Sequence, residues 1–218
     1  MRRGMVVDAV RIHDGPDALD ADLHLPEHAR GLVIFAHGSG SSRFSTRNRQ
    51  VAESLNDAEY ATLLLDLLTQ EEERIDVRTT EYRFDIPLLG RRVVAATDWV
   101  ARQTAIKDLP IGFFGASTGA AAALIAAAER PDTAAVVSRG GRPDLAGDAL
   151  PIVRAPTLLI VGGNDEPVIE LNEGAMRRMH APVEMAIVPQ ATHLFEEPGT
   201  LEEVQRLARG WFDRYVRR

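Results

Sequence analysis

A short apolar run of the chain passes directly into a helical run at a serine that has a glycine two positions away on each side. The apolar run covers residues 110–114, and the alanine-rich run 120–129 predicts a helix. Between them stand Gly115, Ser117 and Gly119. A strand that turns at once into a helix forces the joining residue into a tight turn, and small neighbours leave room for it. The chain must therefore contain a strand–turn–helix unit that raises the Ser117 hydroxyl above the end of a strand.

Two further residues suit a nucleophilic role for this serine. A serine hydroxyl is a poor nucleophile at neutral pH until a base takes its proton and a third group orients the base. Asp165 follows the apolar run 157–161, and His193 follows the apolar run 183–188, so both stand in loops after predicted strands. We interpret Ser117 as the nucleophile, Asp165 as the acid and His193 as the base. For Asp165 alone, a role as a turn former is the alternative.

A loop of small residues after the β-type run 32–36 has a second possible role in this chemistry. It begins at His37, and its backbone N–H groups can face developing negative charge. We expect an oxyanion hole formed by the N–H of Thr118 and that of Ser39, with Gly40 as the second choice for the latter. We expect the side chain of His37 to brace this loop by hydrogen bonds. The remaining histidines stand in N-terminal strands or their connections or at a cationic helix end: His13, His24, His28 and His180.

The same loop permits a rival interpretation. Gly38 and Gly40 follow a predicted strand, and Asp66 ends the next one, which together imitate a dinucleotide-binding unit. Arg43 stands where the third glycine of that motif allows close packing of helix and strand. Nucleotide binding is therefore the weaker interpretation.

From about Met5 to Tyr215 the chain resembles the α/β-hydrolase superfamily, and most closely its small members in the dienelactone hydrolase-like group. The matching features are the loop that begins at His37, the glycine-flanked Ser117, Asp165 and His193, in that order along the chain. Dienelactone hydrolases proper carry a cysteine nucleophile, whereas this chain has a serine and no cysteine. The resemblance implies an α/β-hydrolase fold with little or no cap and hydrolysis of an ester-type bond through Ser117, His193 and Asp165.

The order of apolar runs supports the same fold class independently. After residue 30, β-type runs alternate with helical ones, which predicts a mostly parallel sheet of about eight strands with helices on both faces. We predict a single α/β domain over residues 1–218. The predicted strands are 6–12, 21–25, 32–36, 62–66, 111–114, 134–138, 157–161 and 183–188, and the predicted helices are 47–59, 88–103, 118–129, 168–179 and 200–216.

The stretch 67–87 is long for a connection inside one domain, and such connections are usually functional or mobile. It leaves a strand at the sheet edge where ligands bind in open α/β sheets. We therefore interpret it as one wall of the substrate pocket, with room for a short helix of its own and with Arg83 and Phe84 facing inward. The acidic run 71–73 within it is interpreted as a solvated loop.

Several arginines are expected near the same edge. Arg43 and its neighbours crowd the start of a helix, where the helix dipole disfavours cations, and Arg139 and Arg142 follow a strand. These arginines suggest an anionic substrate, because guanidinium groups bind carboxylate and phosphate. The alternative is that they pair with nearby acids: Asp66, Asp85 and Asp144.

Composition excludes several classes of protein. The chain has 218 residues, no cysteine and a net charge of −7. Disulfides, iron–sulfur clusters and thiolate zinc sites are excluded, and nucleic acid or an anionic membrane surface is disfavoured as a partner. No apolar region follows the N-terminal arginines, so no signal peptide or membrane span is expected. We expect a cytoplasmic protein.

The resulting hypothesis is a two-step acyl transfer to water that needs no metal or organic cofactor, acting on a small-molecule acyl substrate. Two alternatives stay open. An acyltransferase would use the same residues with a different acceptor, and a non-catalytic member of the fold would serve as a binding protein.

Overall fold

The computed structural model describes residues 4–217 and contains one eight-stranded sheet in the order β1-β2-β4-β3-β5-β6-β7-β8. β1 pairs antiparallel with β2, β2 pairs antiparallel with β4, and all other neighbours are parallel. The predicted sheet of eight mostly parallel strands is therefore confirmed. The strands are β1 Met5–Asp14, β2 Asp17–Pro26, β3 Gly31–Ala36, β4 Tyr60–Leu65, β5 Ile111–Ala116, β6 Ala135–Arg139, β7 Thr157–Gly162 and β8 Val183–Val188.

Helices cover both faces of this sheet. They are α1 Thr46–Asp57, α2 Gln70–Thr79, α3 Ile86–Val100, α4 Thr118–Glu129, α5 Glu166–Arg178 and α6 Thr200–Tyr215, with a short 3₁₀ segment at Pro143–Ala149. Successive residues of β3 show why two layers form. Leu32 and Ile34 belong to the core beneath α3 and α4, whereas Val33 and Phe35 belong to the core beneath α1 and α6. Because both faces of the central strands are covered, their sequences are apolar throughout.

The acidic run Glu71–Glu73 corrects the sequence interpretation, because it forms the first turn of α2 and not a loop. The Thr69 side chain accepts a hydrogen bond from the backbone N–H of Glu72, and the Glu72 carboxylate accepts one from the backbone N–H of Thr69. This reciprocal pair is a capping box, and acids in the first turn also suit the helix dipole. A Thr followed three residues later by Glu was the signal that predicts this helix.

A buried arginine on α3 ties the first two strands to α2. Arg92 is fully buried, and its guanidinium donates hydrogen bonds to the carboxylates of Asp14, Asp17 and Glu72 and to the carbonyl of Leu67. Buried charges are tolerated when they are paired and hydrogen-bonded, and Arg92 meets that condition.

The carboxyl ends of the parallel strands lie along one edge of the sheet, which we call the carboxyl edge. The residues that follow β3, β5, β7 and β8 there include His37, Ser117, Asp165 and His193. The fold thus brings to one edge residues that are distant in the chain.

Candidate active site

Ser117 joins β5 to α4 in a strained conformation. Its φ is 51° and its ψ is −123°, a combination that costs a non-glycine residue on the order of 1–3 kcal/mol. The neighbouring glycines explain how the chain fits. A Cβ on Gly115 would lie 2.5 Å from the Cα of Ala120, and one on Gly119 would lie 2.2 Å from the carbonyl oxygen of Ala36. No larger residue fits at either position without moving the backbone.

His193 and Asp165 form a hydrogen-bonded pair. The Nδ1 of His193 lies 2.9 Å from Oδ2 of Asp165, whose side chain is mostly buried. Asp165 precedes α5, yet its side chain caps no N–H of that helix, so its carboxylate is directed at the imidazole. Gly140 packs beneath the histidine with a φ of +52°, and a Cβ there would lie 3.0 Å from the His193 carbonyl oxygen.

Ser117 and His193 line the same cavity, which has a volume of about 440 Å³ and which we call the serine cavity. In the described residues no hydrogen bond joins the Ser117 hydroxyl to His193. Such contacts are often long before substrate binds and tighten in the reacting complex. Other residues that line this cavity are Gly38, Ser39, Gly40, Arg47, Arg139 and Leu194.

Two backbone N–H groups beside Ser117 have no protein acceptor. Thr118 is the first residue of α4, and neither its N–H nor that of Ser39 donates a hydrogen bond to another described residue. The loop approaches Ser117 closely, because a Cβ on Gly38 would lie 3.1 Å from the Ser117 Cβ. Gly40 lines the serine cavity at an exposed position with a φ of +72°. These positions suit the oxyanion hole expected from the sequence.

His37 braces this loop with both ring nitrogens. Nε2 accepts a hydrogen bond from the backbone N–H of Leu67 at 3.0 Å, which leaves the proton on Nδ1, and Nδ1 donates to the Gly38 carbonyl at 2.8 Å. Burial lowers the pKa of His37, which favours this neutral form. Because a trans peptide unit points its N–H opposite to its C=O, the bond to Gly38 also fixes the direction of the Ser39 N–H.

The segment between β4 and α3 lies beside the loop and does not line the serine cavity. Arg83 borders a small neighbouring cavity together with Ser39, Gly40 and Thr118, and its guanidinium is held by the buried carboxylate of Asp76 at 2.7 Å. Phe84 is 59% exposed. The segment therefore supports the loop from the side, and the predicted inward position of Phe84 is wrong because its side chain faces solvent.

The remaining arginines differ sharply in their partners. Arg43 pairs with Asp66, and Arg142 forms two hydrogen bonds to the carboxylate of Asp144, so the alternative of internal pairing holds for both. Arg139 has no carboxylate partner in the described residues and lines the serine cavity.

Sequence reasoning did not identify Asn48, whose side-chain oxygen accepts a hydrogen bond from Arg139 at 3.3 Å. It also did not identify the role of Gly140 beneath His193. A glycine pair directly after a strand was the only local signal for Gly140, and nothing in the sequence places Asn48 beside β6.

Within residues 4–217, no group of three or more histidine or acidic side chains is arranged to hold a metal ion, and no helix has the length and apolar character that crossing a membrane requires.

The model of the protein family described as the dienelactone hydrolase family matches residues 19–214. A crystal structure of a dienelactone hydrolase from Anabaena variabilis is 57% identical in sequence, covers 99% of this chain and 100% of that chain, and has a TM-score of 0.96. Est1E from Butyrivibrio proteoclasticus shares the fold at 18% identity, with a TM-score of 0.78 over 94% of this chain and 98% of that chain.

Curated relatives from two strains of Mycobacterium tuberculosis are 56% identical over 206 residues. They carry the provisional name phosphoribosyl transferase. The match covers 94% of this chain and 46% of each relative, so the chain spans about half the length of the curated relatives it matches.

Proposed function

The chain belongs to the dienelactone hydrolase family, and from that premise we propose that it is a serine hydrolase that cleaves an ester-type bond of a small acyl substrate. The observation that carries this proposal is the serine cavity itself. A strained Ser117 and His193 line the same 440 Å³ space, and Asp165 is hydrogen-bonded to His193. The three residues follow three separate strands of the sheet.

In the proposed mechanism, His193 Nε2 takes the proton of the Ser117 hydroxyl as its oxygen attacks the substrate carbonyl. Asp165 holds Nδ1 of the same ring and stabilises the imidazolium that forms. The tetrahedral oxyanion accepts hydrogen bonds from the N–H groups of Thr118 and Ser39. The imidazolium then protonates the departing alcohol, and the acyl group stays on the serine.

Water completes the reaction. His193 removes a proton from a water molecule that attacks the acyl carbonyl, and the acid leaves as the proton returns to Ser117. The side chain of His193 is 41% exposed, so water reaches the base directly.

The name of the Mycobacterium tuberculosis relatives does not alter this proposal. More than half of each relative lies outside the match, whereas the hydrolase family covers residues 19–214 of this chain. A cytoplasmic location and the lack of a need for a cofactor stay predictions from the sequence.

The decisive experiment measures intact mass after brief exposure to a fluorophosphonate, which labels activated serines. We expect one label on the wild-type protein and none on Ser117→Ala or His193→Ala. Ser42→Ala is the matched control, because it removes a hydroxyl from the same loop without touching the serine cavity, and it should label fully. A folded wild-type protein that takes no label would refute the proposal and favour a binding protein.

A further inference from the structure

Asn172 is a polar side chain on the buried side of α5. Its side chain is fully buried, and Ala175 is the only other buried residue of that helix. A buried amide costs free energy unless hydrogen bonds satisfy it, whereas an apolar side chain would pack there without that cost. The asparagine at this position therefore indicates that its hydrogen bonds have a role.

The amide group of Asn172 joins α5 to the turn that follows β6. Its Nδ2 donates hydrogen bonds to the carbonyl of Gly141 at 3.1 Å and to the carbonyl of Val168, one helical turn earlier, at 2.7 Å. Its Oδ1 has no partner among the described residues. Because both neighbours are carbonyl acceptors, they need a side chain with two N–H donors, which aspartate and leucine lack.

The turn, residues 139–142, holds Ser117 from both sides of its backbone, and we call it the bracket turn. The N–H of Ser117 donates a hydrogen bond to the carbonyl of Arg139 at 3.4 Å, and the carbonyl of Ser117 accepts one from the N–H of Arg142 at 3.0 Å. A Cβ on Gly141 would lie 1.9 Å from a serine hydroxyl oxygen of β6, so the turn is closely packed. A shift of the bracket turn would therefore move Ser117 with it.

The bracket turn also lies beneath His193. A Cβ on Gly140 would lie 3.0 Å from the His193 carbonyl oxygen and 3.6 Å from its Nδ1. α5 reaches the same histidine through Asp165, whose backbone carbonyl accepts the N–H of Val168 in the first turn of the helix and whose carboxylate is hydrogen-bonded to Nδ1. One helix thus contacts both His193 and the turn that brackets Ser117.

Resting on the proposed function, we infer that Asn172 is a positioning residue of the hydrolase reaction. It fixes the bracket turn to α5 and thereby sets the place of Ser117 relative to His193. Asn172 does not line the serine cavity, so it acts through the turn and not on the substrate. A misplacement of about 1 Å between reacting groups costs on the order of 100-fold in rate, so this hydrogen bond affects the chemical step.

Two variants remove the link between α5 and the turn to different extents. Asn172→Ser loses the bond to Gly141, because a serine side chain is shorter, but its hydroxyl still donates to the carbonyl four residues earlier, which is that of Val168. Asn172→Leu keeps the branched shape and removes both hydrogen bonds. The serine variant therefore tests the link to the bracket turn by itself.

Asn56 offers the matched control, because its side chain has the same kind of environment. It is 7% exposed, its Nδ2 donates to the Tyr60 carbonyl and the Thr62 hydroxyl, and its Oδ1 has no partner among the described residues. Tyr60 is the first residue of β4, so Asn56 lies toward the edge of the sheet opposite to Ser117. Asn56→Ser and Asn56→Leu therefore disturb a similar buried amide away from the bracket turn.

Three quantities are measured for each protein: the rate constant of labelling by the fluorophosphonate, kcat and KM for para-nitrophenyl hexanoate, and the midpoint of urea denaturation. We expect Asn172→Ser to lower the labelling rate constant and kcat about 10-fold or more and to leave KM within about twofold of the wild type. Asn56→Ser should leave all kinetic constants within about twofold, even where its denaturation midpoint falls as far. A merely structural role of Asn172 would not separate kcat from KM in this way.

The outcomes distinguish this inference from the proposed function. A labelled wild type whose rate Asn172→Ser leaves unchanged, or lowers no more than Asn56→Ser does, overturns the inference while the hydrolase proposal stands. A folded wild type that takes no label and hydrolyses no ester refutes the hydrolase proposal, and the inference falls with it. If Asn172→Leu does not fold, the comparison of the two serine variants decides.

Discussion

Both ring nitrogens of His37 make hydrogen bonds within the fold, so a change in its charge state affects the loop beside Ser117. The unprotonated Nε2 accepts a hydrogen bond from the Leu67 N–H. A proton on Nε2 would abolish this hydrogen bond and place two N–H groups against each other. Burial lowers the pKa of this histidine, which means that the folded protein resists protonation more strongly than the unfolded chain does.

This predicts a specific loss of stability in acid. Above about pH 6.5 both states carry neutral histidine and stability is complete. As the pH falls below that value, His37 becomes protonated in the unfolded chain but stays neutral in the folded protein. The free energy of unfolding therefore drops by up to about 1.4 kcal/mol per pH unit, until the lowered pKa of His37 in the folded protein is reached.

Urea denaturation of the wild type and of His37→Gln near pH 7.5 and near pH 5.5 checks this. We expect the wild type to lose more stability between the two conditions than the variant does. The difference between proteins is the relevant quantity, because burial also lowers the pKa of His24 and both proteins share that effect. Equal losses would contradict the assignment to His37.

At the scale of elements, the turn after α2 is held to that helix by a buried ion pair between Asp76 and Arg83. Burial alone would raise the pKa of Asp76, but hydrogen bonds from the backbone and guanidinium of Arg83 outweigh it and lower the pKa. The same carboxylate also accepts the N–H of Tyr82, so a single buried acid organises the whole turn.

We therefore predict that Arg83→Ala lowers the free energy of unfolding by about 3 kcal/mol, because it leaves the Asp76 carboxylate buried without its cation. Arg74→Ala on the same helix is the control, since its pair with Glu71 is exposed and should be worth less than about 1 kcal/mol. Chemical denaturation of both variants measures the two values. Similar losses for the two would show that burial of Asp76 does not matter.

The same element shows how far sequence reasoning extends. The triad candidates could be predicted because each follows an apolar run that forms a strand, and parallel strands end at one edge. A short helix was allowed for in the stretch 67–87, but α2 was not placed because three consecutive glutamates were weighed as solvated charge, although Thr69 and Glu72 carried a helix-start signal. Which arginine pairs internally could not be predicted, since the partners of Arg43 and Arg139 come from other elements.

At the scale of the whole molecule, Arg92 of α3 connects the antiparallel strands β1 and β2 to the helices α2 and α3. Arg92→Met should lower the free energy of unfolding by about 3–5 kcal/mol, because Asp14, Asp17 and Glu72 lose their shared cation. Arg91→Met is the control: Arg91 binds the same Asp14 but is 57% exposed, and its loss should cost less than about 1 kcal/mol. Denaturant titration compares the two, and equal effects would refute the connecting role.

The contact between Gly119 and the carbonyl of Ala36 ties the serine turn to the middle of the sheet, with no space for even a methyl group. Any loosening of α4 against β3 therefore displaces Ser117 at once. When the protein is heated, its enzymatic activity and the near-UV circular dichroism of its buried aromatic side chains should therefore be lost together. No temperature range should exist in which the protein is folded but inactive. Activity would then serve as a direct reporter of how much of the protein remains folded.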